Sequence, residues 1–335
     1  MNRVLYFDIL RIIAICAVVL LHTSAGFLGD YNSSHTSYFI GDVYDSVTRW
    51  CVPVFIMVSG ALLLKPGKQE TLADFFKKRT TKVVIPFLIW TFIYILYRHY
   101  HDNHVFTYTG TIKDFFNSNI YFHLWFMYMI IGLYLVTPIF KVYVRHAKQE
   151  NMLYFIILWF IASFIPVLNN LFDLNIQYVF ETVSGYIGFF ILGYYLHHYE
   201  LSQITRKFIY VFAIISVLVT IFGTLFLTMI DSSKFNDVLY DYFRPNTIIV
   251  AAAVFIYFKH LDLESKRNKI IFLLSNVSFG VYLIHPILRD FVYKFINVDS
   301  HPLINIPLVT VLTLILSFIT VTIMSKVPLL KKIVP

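Results

Sequence analysis

The chain has 335 residues, of which 58% are hydrophobic and only 14% charged, and its mean hydropathy is +0.70. Those values exclude an ordinary soluble domain and point to a polytopic membrane protein. The net charge of +8 is therefore read for the placement of Lys and Arg around the membrane, not as a nucleic-acid footprint.

Ten apolar runs of spanning length predict ten helices, near 4–28, 39–64, 83–99, 121–140, 152–169, 182–199, 208–230, 245–260, 269–296 and 303–325. The runs are continuous, not alternating, so an all-α fold is expected in place of a barrel. The first is too long, and too interrupted by Asp8, Arg11 and His22, for a cleaved export signal. With the N-terminus in the cytoplasm, nineteen Lys and Arg fall in inside segments and six outside; the positive-inside rule then puts both termini in the cytoplasm. A single integral-membrane domain over 1–335 is expected, with no appended soluble domain. The 100–120 segment, with His101, Asp102 and His104, is expected to be a solvated external loop. Cys16 and Cys51 both fall inside apolar runs, so no disulfide framework and no metal site are expected.

In the first run, Arg11 and His22 lie eleven residues apart, three turns plus about 20°, and so face the same way with a rise of about 16 Å. Asp8 lies one turn before Arg11, at i,i+3 ion-pair spacing. Ionisable groups are expensive in a bilayer and mark a pathway or a site. A buried neutral imidazole can abstract a proton or carry a transferred group.

Asp8, Leu10, Arg11, Ala14 and His22, read as D-x-L-R-x-x-A with R-x10-H, resemble the first helix of the membrane acyltransferase-3 family. Further segments resemble that family in order: RWCVPVFIMVSGALLL (49–64), FFKKRTTKVVIPFLIW (75–90), FHLWFMYMIIGLYLVTPIF (122–140), GYIGFFILGYYL (185–196) and SNVSFGVYLIHPI (275–287). The set looks most like stand-alone O-acetyltransferases of bacterial surface polysaccharides, without the fused extracellular SGNH hydrolase-like domain of larger members.

The resemblance implies a multi-pass protein of a bacterial cytoplasmic membrane that moves acetyl from cytoplasmic acetyl-CoA to a hydroxyl of an extracytoplasmic glycan or lipid-linked sugar. The cofactor phosphates would sit at Lys77, Lys78, Arg79 and Lys82. Arg11 would guide the cofactor, with Asp8 orienting Arg11, and His22 would be general base or acyl carrier. Arg49, at a depth similar to His22, would bind the acceptor or an oxyanion. His123, Trp125 and Arg244 would contact the acceptor, Glu181 and Arg244 lining its entrance. His285-Pro286 is expected to kink the ninth helix. A glycan or lipid-precursor transporter would also show ten helices with buried Arg and His, although no inverted repeat is visible.

Overall fold

The computed structural model describes residues 3–335 except 30, 33, 66–69, 103, 175, 177–178, 231–233 and 263–268, and the side chains of 179–184 are also outside the described set. The described residues form fourteen α-helices and no strand. In chain order they are α1 (Leu5–Ser24), α2 (His35–Ser46), α3 (Cys51–Leu63), α4 (Leu72–Arg79), α5 (Ile85–His101), α6 (Tyr108–Phe116), α7 (Trp125–His146), α8 (Gln149–Ala162), α9 (Ile165–Phe172), α10 (Val179–His198), α11 (Gln203–Ile230), α12 (Pro245–His260), α13 (Lys269–Tyr293) and α14 (Pro302–Lys326).

Each of the ten expected runs coincides with helix. Eight segments are long and apolar enough to cross a membrane, including Leu5–Leu28, His35–Leu63 and Leu72–His101; α10 and α12 account for the other two runs. The chain is an all-α polytopic membrane protein. Two runs are broken where the sequence read them as continuous. Turn residues 47–50 part α2 from α3, and α8 stops at Ala162 with Pro166 in the first turn of α9, a position where proline's missing N–H costs no helical hydrogen bond. The 100–120 segment is not all loop. It contains α6, whose half-buried Phe115 ring packs 5.9 Å from Phe87 and 5.7 Å from Tyr128, so aromatic contact rests a helix against the bundle in a segment the polar residues suggested was all loop.

The bundle is built around α1, which packs against α2, α3, α12, α13 and α14. Its most intimate joint lies elsewhere, between α3 and α10. A Cβ on Gly60 would strike the backbone of Phe190, and one on Gly193 would strike the backbone of Met57. Each helix thus offers a glycine to the other's main chain, the small-residue contact that lets helices approach closely where lipid supplies no hydrophobic drive. At the periphery, α11 is inverted relative to a soluble helix. Ser216, Thr220, Thr224 and Thr228, at every fourth position, are buried, whereas Phe212, Ile215, Val219, Phe222 and Phe226 are exposed. The hydroxyl stripe is used: Tyr38 Oη and Thr228 Oγ1 are hydrogen-bonded at 2.9 Å, and Asn246 Nδ2 donates to Thr220 at 2.8 Å.

Gly60→Leu is expected to break the α3–α10 joint, because the backbone it meets cannot swing aside. The detergent-solubilised variant should lose its monodisperse elution and unfold at lower temperature, by more than the roughly 1–3 kcal/mol of ordinary overpacking. Gly132→Leu, exposed and with nothing near its Cβ position, should leave both measurements unchanged.

Candidate active site

A single cavity of about 930 Å³ runs along α1, with Arg11, Val18 and His22 all on its wall. The helical phase read from sequence therefore does bring Arg11 and His22 to one space. Asp8 is elsewhere. It is 4% exposed, accepts from Arg3 Nη2 at 2.7 Å and from Ser275 Oγ at 2.7 Å, and makes no ion pair with Arg11. The expected i,i+3 pair loses to the two-pronged guanidinium of Arg3, whose Nε and Nη2 both reach the carboxylate. Asp8 thereby ties the start of α1 to α13. Among the described residues Arg11 has no hydrogen-bond or ion-pair partner, so its guanidinium is left to the cavity.

One end of the cavity is basic. Lys78, Arg79 and Lys82 line it, joined by Lys331, Ser275 and Asn276. Residues 80–84 form a wider, π-helical turn between α4 and α5, and such a turn shifts the register of the side chains that follow. Lys77 is exposed and is not on the cavity wall. Glu70 partly neutralises this end. Its carboxylate lies 2.6 Å from Lys78, 3.7 Å from Arg79 and 3.9 Å from Lys141, and the hydrogen bond from Lys78 holds its pKa below the usual carboxylate range. Arg79 also stacks on the Phe75 ring at 4.0 Å.

The other end carries histidine. His22 and His123 line the cavity, and His285 is fully buried behind them. The His22 and His285 rings are nearly parallel, with centroids 5.3 Å apart, and His123 lies edge-on to His285 at 5.5 Å. Phe122 covers His22 at 4.9 Å. The main chain of His22 is clamped as well. It lies in the last turn of α1, where carbonyls lack helical partners, and Arg289 Nη1 donates to its carbonyl oxygen at 2.6 Å. Asp290 in turn accepts from Arg289 Nη2 at 3.0 Å, from Tyr97 at 2.9 Å and from Tyr121 at 3.2 Å. Arg289, counted in the sequence only as an outside charge, is thus a support for the His22 backbone.

Trp125 also lines the cavity, its ring 5.6 Å from Tyr242 and 6.0 Å from Tyr186. The same indole borders a second, open groove of about 560 Å³, with Arg98, Asn117, Ser118, Asn119, Tyr121 and Phe122. Two further expected residues are not brought to either space. Arg49 is paired with Asp45, stacks 4.2 Å over the Tyr240 ring and donates to the Tyr240 carbonyl; Tyr242 stands on the cavity wall instead. Arg244 donates to the carbonyls of Val238 and Phe243 at 2.9 and 3.0 Å and so holds the loop before α12. The Glu181 side chain lies outside the described residues.

The partners of Arg49 went unread in the sequence. Asp42 and Asp45 have no exposed surface. Asp42 accepts from Ser46 at 3.1 Å and from the Tyr240 hydroxyl. The signal was present in DVYDSVTR (42–49), where two carboxylates and an arginine at i, i+3 and i+7 share one helical face inside an apolar span.

Residues 4–322 match the model of a family described as an acyltransferase domain, the acyltransferase-3 type. An amino-acid racemase of Enterococcus faecalis is 23% identical over 98% of this chain and 47% of its own length. The chain thus spans about half the length of that curated relative. No solved structure matches the chain.

Removing one partner of the Asp45–Arg49 pair leaves a buried charge uncompensated. Asp45→Ala is expected to cost about 3–5 kcal/mol, measured by denaturation of the purified protein. The double variant Asp45→Leu, Arg49→Met should be more stable than Asp45→Ala alone.

Proposed function

We propose that this chain, which belongs to the acyltransferase-3 family, moves acetyl from cytoplasmic acetyl-CoA to a hydroxyl of an extracytoplasmic glycan or lipid-linked sugar. Family membership makes it a membrane-embedded acyltransferase. The finer reading rests on one observation: a single cavity joins the cations Lys78, Arg79, Lys82 and Lys331 at one end to His22 at the other, with Arg11 between. That distribution suits a co-substrate with an anionic head and a reactive tail. The phosphates would lie among the cations as charge-assisted contacts, and the pantetheine arm would run past Arg11. The rise from Arg11 to His22 on the unbroken α1 is about 16 Å, of the same order as that arm.

At the far end His22 acts as general base. It takes the proton of the acceptor hydroxyl as the oxygen attacks the thioester carbon; the C–O bond forms, the C–S bond breaks, and the proton passes to the departing CoA thiolate. The acceptor approaches along the groove shared through Trp125, whose aromatic face and the amides of Asn117 and Asn119 suit a sugar ring. Charge placement supports cytoplasmic termini in a bacterial cytoplasmic membrane, with the basic cavity end on the same side. The whole of 1–335 acts as one membrane unit in this reading.

Purified protein in nanodiscs, given radiolabelled acetyl-CoA and a surface-glycan acceptor, should incorporate label, and His22→Ala should lower the rate by about 10²–10⁴-fold. Undiminished incorporation in His22→Ala would sink the assignment. Label held stably on the protein and lost in His22→Ala would make His22 an acyl carrier instead of a base. Because Glu70 competes for the cations that would meet the phosphates, Glu70→Gln should lower KM for acetyl-CoA by about two- to fivefold at low salt, with the difference shrinking as salt is raised.

A further inference from the structure

His285 takes no part in the reaction as described, yet it is fully buried and stacked against the residue that does. Its surroundings follow from the dipeptide His285-Pro286 in the interior of α13. Proline has no backbone N–H and so cannot donate to the carbonyl four residues earlier, which here belongs to Tyr282. A buried carbonyl without a donor is costly, and His285 Nδ1 satisfies it at 2.7 Å. A carbonyl can only accept, so Nδ1 must carry the proton. The neutral ring then has a bare Nε2, and that atom is buried with no hydrogen-bond partner among the described residues. Tyr282 is itself pinned, its hydroxyl donating to the His123 carbonyl, and Tyr94 Oη donates to the next carbonyl, that of Leu283, at 2.7 Å. The His285 ring is therefore fixed in place and in tautomer, 17° from parallel with His22.

We propose that His285 is a positioning residue for His22, locked by Pro286 in its Nδ1–H tautomer so that a neutral, electron-rich ring braces the imidazolium that His22 becomes during transfer. This rests on the reading of His22 as general base. While the acceptor C–O bond forms and the C–S bond breaks, the proton resides on His22. A fixed neutral ring stacked on it stabilises that cation as aromatic faces stabilise cations generally, and Arg289 holds the adjoining main chain. His285 is not on the cavity wall, so it acts through His22 without touching substrate.

His285→Asn supplies the test, because its side-chain amide can still donate to the Tyr282 carbonyl but has no ring and no basic nitrogen. The expected result is a fall in kcat of at least about tenfold, with KM for acetyl-CoA unchanged and the elution profile intact. A kcat equal to that of the parent would reduce His285 to a partner for one carbonyl and overturn the proposal. Pro286→Ala restores a backbone donor to Tyr282 and releases the ring; kcat should fall in the parent background and not fall further in His285→Asn. An equal loss in both backgrounds would overturn the lock. ¹⁵N-imidazole spectra, assigned by difference with His285→Asn, should show the Nδ1–H form, and the Nε2–H form would overturn the proposal whatever the turnover. Absence of transfer by the unsubstituted protein would fault the proposed function, and the spectra would still decide the tautomer.

Discussion

Inside a bilayer no water stands ready to solvate an abandoned charge or carbonyl, so each polar group needs a partner from the protein or a place on a cavity. The arrangement around α1 follows from that requirement. Asp8 is met by Arg3 and Ser275, the His22 carbonyl by Arg289, and Asp45 by Arg49. Arg11 and His22 are instead released to the cavity. Which polar residues are matched and which are left for a ligand is the division between scaffold and site.

The matching groups reach across long stretches of chain. Asp290 gathers hydroxyls from α5 and from Tyr121 just before α7, and the hydroxyl stripe of α11 holds Tyr38 from α2 and Asn246 from α12. Polar contacts thus do the specifying between helices that lipid cannot sort by hydrophobicity, and the Gly60 and Gly193 contacts supply close packing where no polar group is present.

The ten helical runs were legible because a hydrocarbon core imposes length and continuity on the sequence, and the phase of Arg11 and His22 because helical periodicity is local. What the sequence misjudged were competitions between partners. Asp8 had a near neighbour at i+3 but also Arg3, whose fork fits it better, and a serine 267 residues away. Arg49 was read by depth alone, and depth says nothing of the carboxylate one turn earlier on its own face. Arg289 looked like a surface charge because the carbonyl it serves belongs to a helix end that only the fold brings near. The basic segment 77–82 reads as a cluster in the sequence, but the structure brings Lys78, Arg79 and Lys82 to the cavity wall and leaves Lys77, on the exposed side of α4, off it.

The wall shared by the two hollows is thin: Trp125 borders both, and Phe122 stands between the groove and the His22 ring. If each hollow holds one reactant, as proposed, a group small enough to pass these rings would change hands with neither reactant crossing the membrane.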